Sequence, residues 1–218
     1  MDCKEIIARR AALFFKDGDV VNLGIGLPTT VAAYVPEGVD VILQSENGIV
    51  GLGPPPKPGE EDKDIVNAGG KYATTLPGAA CIDSAVSFAL IRGGHVDATV
   101  LGALEIDQEG NLANWIVPGK RVPGMGGAMD LAAGAKKVII SMEHCTKDGM
   151  PKILKKCSLP LTAIGCVTHV VTELCVLEKT AKGLMLKELA PGVTVDDVLA
   201  KTDAEIIVPD EVSPMGGI

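Results

Sequence analysis

The chain has 218 residues, 47% of them apolar, with 26 glycines, one Trp, two Tyr, three Phe and a formal charge of −8. That apolar content excludes a disordered chain, and the length suits a single α/β domain over residues 1–218. With so few aromatics the core must be built from Val, Ile, Leu and Ala, as in a parallel sheet covered by helices. No stripe of Lys and Arg is present to neutralise phosphates, which excludes nonspecific nucleic-acid binding. No run of ~18 apolar residues occurs, so no membrane span is expected. The opening MDCKEIIARR is charged where a signal peptide needs an apolar stretch. A cytoplasmic protein is expected, and its six cysteines are read as free thiols.

In chain order, Asp2 caps a helix over about Cys3–Lys16, ended by Gly18. Asp19–Leu23 is a short strand entering the turn Gly24-Ile25-Gly26-Leu27-Pro28, and Pro28 suits the first turn of a helix to about Val35. Val39–Ser45 is an apolar, β-branched strand, and the Pro-rich, charged stretch Gly53–Lys63 is a surface loop. Asp83 starts a helix to about Arg92, closed by Gly93-Gly94. Asp97–Ile106 reads as one long strand, turned at Asp107–Asn111 into a second strand, Leu112–Val117. A Gly-rich turn at Gly124–Gly127 leads into a short helix to about Ala133, and Lys137–Met142 is a strand. Further strands are expected near Leu161–Ile164, His169–Thr172, Cys175–Glu178 and Leu184–Glu188. A helix capped by Thr194 spans Val195–Thr202, a short strand covers Glu205–Val208, and the last ten residues read as a loose tail. Strands alternating with helices predict an α/β fold with an open, mostly parallel (mixed) sheet covered by helices.

Glu46 stands out because it ends an apolar strand and precedes Asn47-Gly48 and further apolar residues. Ligands of open α/β sheets bind at the C-terminal ends of the strands. The plain alternative is a solvated carboxylate beside a tight turn. The turns Gly24–Pro28 and Gly124–Gly127 follow extended segments and precede helices, where backbone N–H groups can face an anion or a developing oxyanion. Neither completes G-x-G-x-x-G, because Thr29 and Met129 stand where the last glycine belongs, and no P-loop occurs. Cys166-x-x-His169 with His144-Cys145 upstream can be read as a zinc set. Core thiols on apolar strands are the competing reading, and a Cys/His nucleophile pair stays open. Trp115 reads as packing; Lys120 and Arg121 are either a solvated loop or a phosphate or carboxylate contact.

LQSENGIVG (43–51) resembles, at every position, the active-site signature of the second (B, or β) subunit of family I CoA-transferases. Other stretches resemble the same subunits: VNLGIGLPT (21–29), VNAGG (66–70), SFALIRGGHVDATVLGALEID (87–107), NLANWIVPGK (111–120), GMGGAMDL (124–131) and KILKKCSLPLTA (152–163). Within that family the chain looks most like subunits acting on acetate, butyrate and acetoacetate.

The resemblance implies the family's fold, and it implies that Glu46 is a covalent nucleophile in a ping-pong exchange through a glutamyl-CoA thioester. It places the Gly127 N–H and the Asn22 side chain beside the thioester carbonyl. Gly24 and Gly26 would let the backbone approach substrate, and Asn47, Gly126 and Lys120 are further substrate-binding candidates. No metal and no permanently bound cofactor is implied; the CoA thioester and a carboxylic acid are substrates. The Gly-Gly-Phe type motif of the A (α) subunit is missing. A partner A chain is therefore expected, in an α2β2 assembly. An acyl-CoA hydrolase on the same scaffold, a succinyl-CoA:3-oxoacid or 3-oxoadipate transferase subunit, and a non-catalytic sugar- or nucleotide-binding regulator are the alternatives.

Overall fold

The computed structural model describes residues 1–218 other than Lys120, Arg121 and Pro123. Its helices are α1 (Cys3–Ala12), α2 (Leu27–Thr30), α3 (Ser84–Arg92), α4 (Ala128–Gly134) and α5 (Val195–Ala200). The first strands are β1 (Val20–Leu23), β2 (Ile42–Ser45), β3 (Ile49–Leu52), β4 (Thr75–Cys81), β5 (Ala98–Leu101), β6 (Glu105–Asp107) and β7 (Leu112–Ala113). The later ones are β8 (Lys137–Ser141), β9 (Ile153–Leu154), β10 (His169–Val171), β11 (Cys175–Thr180), β12 (Gly183–Leu189), β13 (Ile206–Ile207) and β14 (Ser213–Pro214).

The main sheet runs β13-β12-β11-β10-β8-β5-β1-β2-β3-β4, with β14 joined to β12. Its centre, β2-β1-β5-β8-β10, is parallel. The flanks β2-β3-β4 and β10-β11-β12 are antiparallel. The mostly parallel α/β sheet expected from the sequence is therefore present. Alternation along the central strands feeds two cores. Val21, Ala98, Val100, Ile139 and Val171 pack with α1 on one face. Leu101, Val138, Ile140 and Val170 pack with Ile91 of α3 and Leu131 of α4 on the other.

Four local expectations are corrected. The single strand over Asp97–Ile106 is two: the chain leaves the main sheet after Leu101, and β6 pairs with β7 and β9 in a second, three-stranded sheet. Asp107 anchors that departure, its carboxylate accepting from the N–H groups of Glu109, Asn111 and Cys157; apolar periodicity cannot report a change of sheet. Leu161–Ile164 forms only one bridge, Ala163 to Leu112. The first helix stops at Ala12, with Leu13 closing it. The tail is not loose: Ser213–Pro214 pairs with β12, and the Met215 side chain is buried among α1 residues. The edge strand β4 gave no sequence signal, since it contains Pro77 and Gly78 and is largely exposed. No helix among the described residues is long and apolar enough to cross a membrane.

Candidate active site

Glu46 is the first residue beyond β2, at the C-terminal end of the parallel block. The chain then reverses through Asn47-Gly48 into antiparallel β3. The reversal requires glycine at 48: φ is +123°, and a Cβ there would collide with the Ile82 carbonyl oxygen. Gly48 N–H donates to the Ser45 carbonyl at 2.9 Å, and Ile82 N–H donates to the Gly48 carbonyl at 2.8 Å. The turn is thus tied to the segment that leads into α3.

Glu46 is half-buried and is held from two sides. Asn22 lies on β1, in register with Gln44 on β2. Its Nδ2 donates to Glu46 Oε2 at 3.0 Å. Gly127, just before α4, lies so close that a Cβ there would meet Glu46 Cγ at 2.9 Å and Oε1 at 3.3 Å. Glu46, Asn22 and Gly127 are far apart in the chain, and the fold brings them into one cluster. A carboxylate with a fixed N–H donor and a glycine backbone against it is suited to nucleophilic attack on a carbonyl.

The other expected site residues are distributed around this cluster. Gly24 continues β1 toward the same end of the sheet, its N–H donating to the Val100 carbonyl at 2.8 Å. Gly26 precedes α2 and is exposed, as is Gly126 beside Gly127. Asn47 does something the sequence did not suggest: its Nδ2 donates to the Val66 carbonyl at 2.8 Å and pins the loop that follows Gly53–Lys63. Ser45 Oγ holds the same loop by accepting from Ala68 N–H at 2.9 Å. Gly69 in that loop packs near Ile25, whose side chain is 70% exposed. Lys120, expected to contact substrate, lies outside the described residues, as does Arg121.

The Cys/His candidates take no part in this cluster. His144 is fully buried, with Nδ1 at 3.0 Å from Thr172 Oγ1 and Nε2 at 2.9 Å from Thr202 Oγ1. Burial pushes its pKa down to about 4 and pushes the neighbouring Cys175 thiol up to about 12. A nucleophilic thiolate–imidazolium pair needs both shifts in the opposite direction. His169 packs against Phe14 with ring centroids 4.5 Å apart and planes tilted by 51°, and burial lowers its pKa as well. All six cysteines are free, and burial also raises the pKa of Cys157 to about 12 and of Cys166 to about 11. No His, Cys, Asp and Glu side chains gather into a metal-holding group among the described residues.

The family model of the coenzyme A transferases matches residues 4–201. The chain belongs to the CoA-transferase family. It is 59% identical over 215 residues to the acetate CoA-transferase subunit beta of Haemophilus influenzae, covering 99% of this chain and 96% of that one. It is 57% identical over 217 residues to the protein of the same name in Escherichia coli, covering 100% and 99%. Among solved structures, an acyl-CoA transferase from Escherichia coli superposes with a TM-score of 0.80 at 26% identity. That match covers 99% of this chain but 44% of the solved one, so the chain spans less than half of that CoA-transferase's length.

Sequence reasoning missed two polar residues behind the CoA-transferase signature's carboxylate. Gln44, inside an apolar strand, accepts from Asn22 Nδ2 at 2.8 Å through Oε1. Ser87, in the apolar helix α3, accepts from Gln44 Nε2 at 2.9 Å. A buried amide on a β-branched strand is itself a signal, because it must find partners.

Proposed function

We propose that this chain is the β subunit of a CoA-transferase that moves CoA from an acyl-CoA, such as acetoacetyl-CoA or butyryl-CoA, to a short-chain acid such as acetate. The observation that carries the reading is the Glu46 carboxylate, held by Asn22 Nδ2 at 3.0 Å and packed against Gly127. Glu46 attacks the thioester carbonyl, the C–S bond breaks, and an acyl-glutamyl anhydride and CoA thiolate result. The thiolate attacks the glutamyl carbonyl and releases the first acid, leaving a Glu46–CoA thioester. A second carboxylate reverses both steps and leaves as its CoA thioester. When the thiolate adds to the glutamyl carbonyl, negative charge develops on a Glu46 oxygen, and the Asn22 amide that already donates to Oε2 is a preorganised donor for it. The Gly127 N–H is proposed as a second donor.

Gly24, Gly26, Asn47 and Gly126 are proposed to bind substrate, together with Lys120 on the evidence of the sequence alone. No permanently bound cofactor or metal enters this scheme, since the carboxylate is the group carrier. The relatives' naming as β subunits supports a partner α chain, and we place the pair in an α2β2 assembly. Six free cysteines fit a reducing compartment such as the cytoplasm.

The test is to co-express the chain with an A-type partner, incubate the complex with acetoacetyl-CoA without acceptor acid, add borohydride and map peptides by mass spectrometry. Borohydride reduces a glutamyl thioester to an alcohol, and the reduction is expected at Glu46 alone. Free CoA accumulating over an unmodified Glu46 would overturn the reading.

A further inference from the structure

We propose that Gln44 and Ser87 are positioning residues that fix the N–H donor which Asn22 presents to Glu46. This rests on the reading of Glu46 as nucleophile and names what holds its neighbour in place. Asn22 is 1% exposed, Gln44 2% and Ser87 0%, so their polar groups are cut off from water and depend on partners within the protein. Asn22 Nδ2 has two protons and faces three acceptors: the Gln44 carbonyl at 3.0 Å, Gln44 Oε1 at 2.8 Å and Glu46 Oε2 at 3.0 Å. A flipped amide would set Oδ1 against a carbonyl and a carboxylate, so only this orientation is compatible with its surroundings. The orientation is held at a cost, because Asn22 Oδ1 is then buried with no partner.

The chain of constraint continues outward. Gln44 Nε2 donates to Ser87 Oγ at 2.9 Å, and Gln44 Oε1, at the other side of the amide, accepts from Asn22. Helix α3 thus holds Gln44 in place, Gln44 Oε1 holds the Asn22 amide, and Asn22 donates to the nucleophile. Thr99 on β5 is the register partner of Asn22 and also has a buried hydroxyl without a partner. An Asn22 amide released by Gln44 has a second polar neighbour to turn toward, and its donor would then leave Glu46.

The test uses the complex with the A-type partner and follows Glu46 thioester formation from acyl-CoA over time by borohydride trapping. Gln44→Met, Ser87→Ala, Asn22→Ala and the double variant Gln44→Met/Asn22→Ala are compared. Gln44→Met is expected to slow trapping by about 10–100-fold through misplacement of the donor, with half-saturating acyl-CoA changed by less than about threefold. Ser87→Ala is expected to slow it by about 3–10-fold. The double variant should be no slower than Asn22→Ala alone, within about twofold, because both changes remove one function. Independent losses that multiply in the double variant, or a normal rate in Gln44→Met, would overturn the inference. Should Gln44→Met fail to fold, Ser87→Ala with and without Asn22→Ala decides by the same criterion. An unlabelled Glu46 in the unsubstituted complex would instead defeat the nucleophile reading itself.

Discussion

Glu46 and His144 both lie just past the C-terminal end of a parallel strand, β2 in one case and β8 in the other. Both are titratable, and both were candidates for chemistry. His144 is fully buried, and each ring nitrogen has a threonine hydroxyl within 3.0 Å. Glu46 is only half-buried, receives one side-chain donor, and sits against a glycine whose missing Cβ leaves room for it. A strand end is thus a permissive address and no more. What separates the proposed nucleophile from the structural imidazole here is access together with unspent bonding capacity.

The largest effect is expected from removing the proposed nucleophile. Glu46→Gln keeps the size and can still accept from Asn22, but its amide cannot form the anhydride. CoA transfer by the complex should fall by about 10³-fold or more, with the melting temperature little changed. Transfer surviving at a tenth of normal would equate Glu46 with any surface carboxylate. Asn22→Ala should lower kcat by roughly 10²–10³-fold, as expected when one oxyanion donor is lost, while KM for acyl-CoA moves little.

On the structural side, His144 predicts a pH effect on stability rather than on chemistry. Its folded pKa is lowered to about 4 from an ordinary 6.5. The unfolded chain therefore takes up a proton first as pH falls, and the stabilisation, complete above pH 6.5, is lost progressively down to about 4. The loss is on the order of 3 kcal/mol. Denaturant unfolding across that range should show this slope, and His144→Gln should flatten it. An unchanged slope in the variant would mean that His144 is not the group being titrated. Finally, Gly127→Ala sets a methyl against Glu46 Cγ and must displace a flexible side chain rather than backbone. A carboxylate moved by a fraction of an ångström should cost up to about 10²-fold in kcat, with stability nearly unaffected.

Much of this was legible in the sequence, for reasons that can be named. The parallel centre announced itself through apolar, β-branched runs such as VDVILQS, and Glu46 through a charge at the end of one. Asp2, Asp83 and Thr194 marked helix starts, and each accepts the expected cap bond. The nine-residue signature carried the family. Other features depend on distance in space, which local patterns do not encode. The break after Leu101 moves β6 into another sheet without any change of hydrophobic period. β4 is an exposed edge containing Pro77, so neither burial nor alternation marks it. Gln44 and Ser87 looked like ordinary interruptions of apolar segments, because their meaning lies in Asn22, on a different strand.

Whether Glu46 carries the CoA can be read out by oxygen labelling. In the proposed exchange one oxygen of the acceptor carboxylate remains on Glu46 after each turnover. The complex would be cycled with acetyl-CoA and acetate labelled with oxygen-18 in ordinary water, and the peptide containing Glu46 weighed. Heavy oxygen is expected on Glu46 and on no other carboxylate. CoA exchange proceeding at full rate while Glu46 stays unlabelled would contradict it.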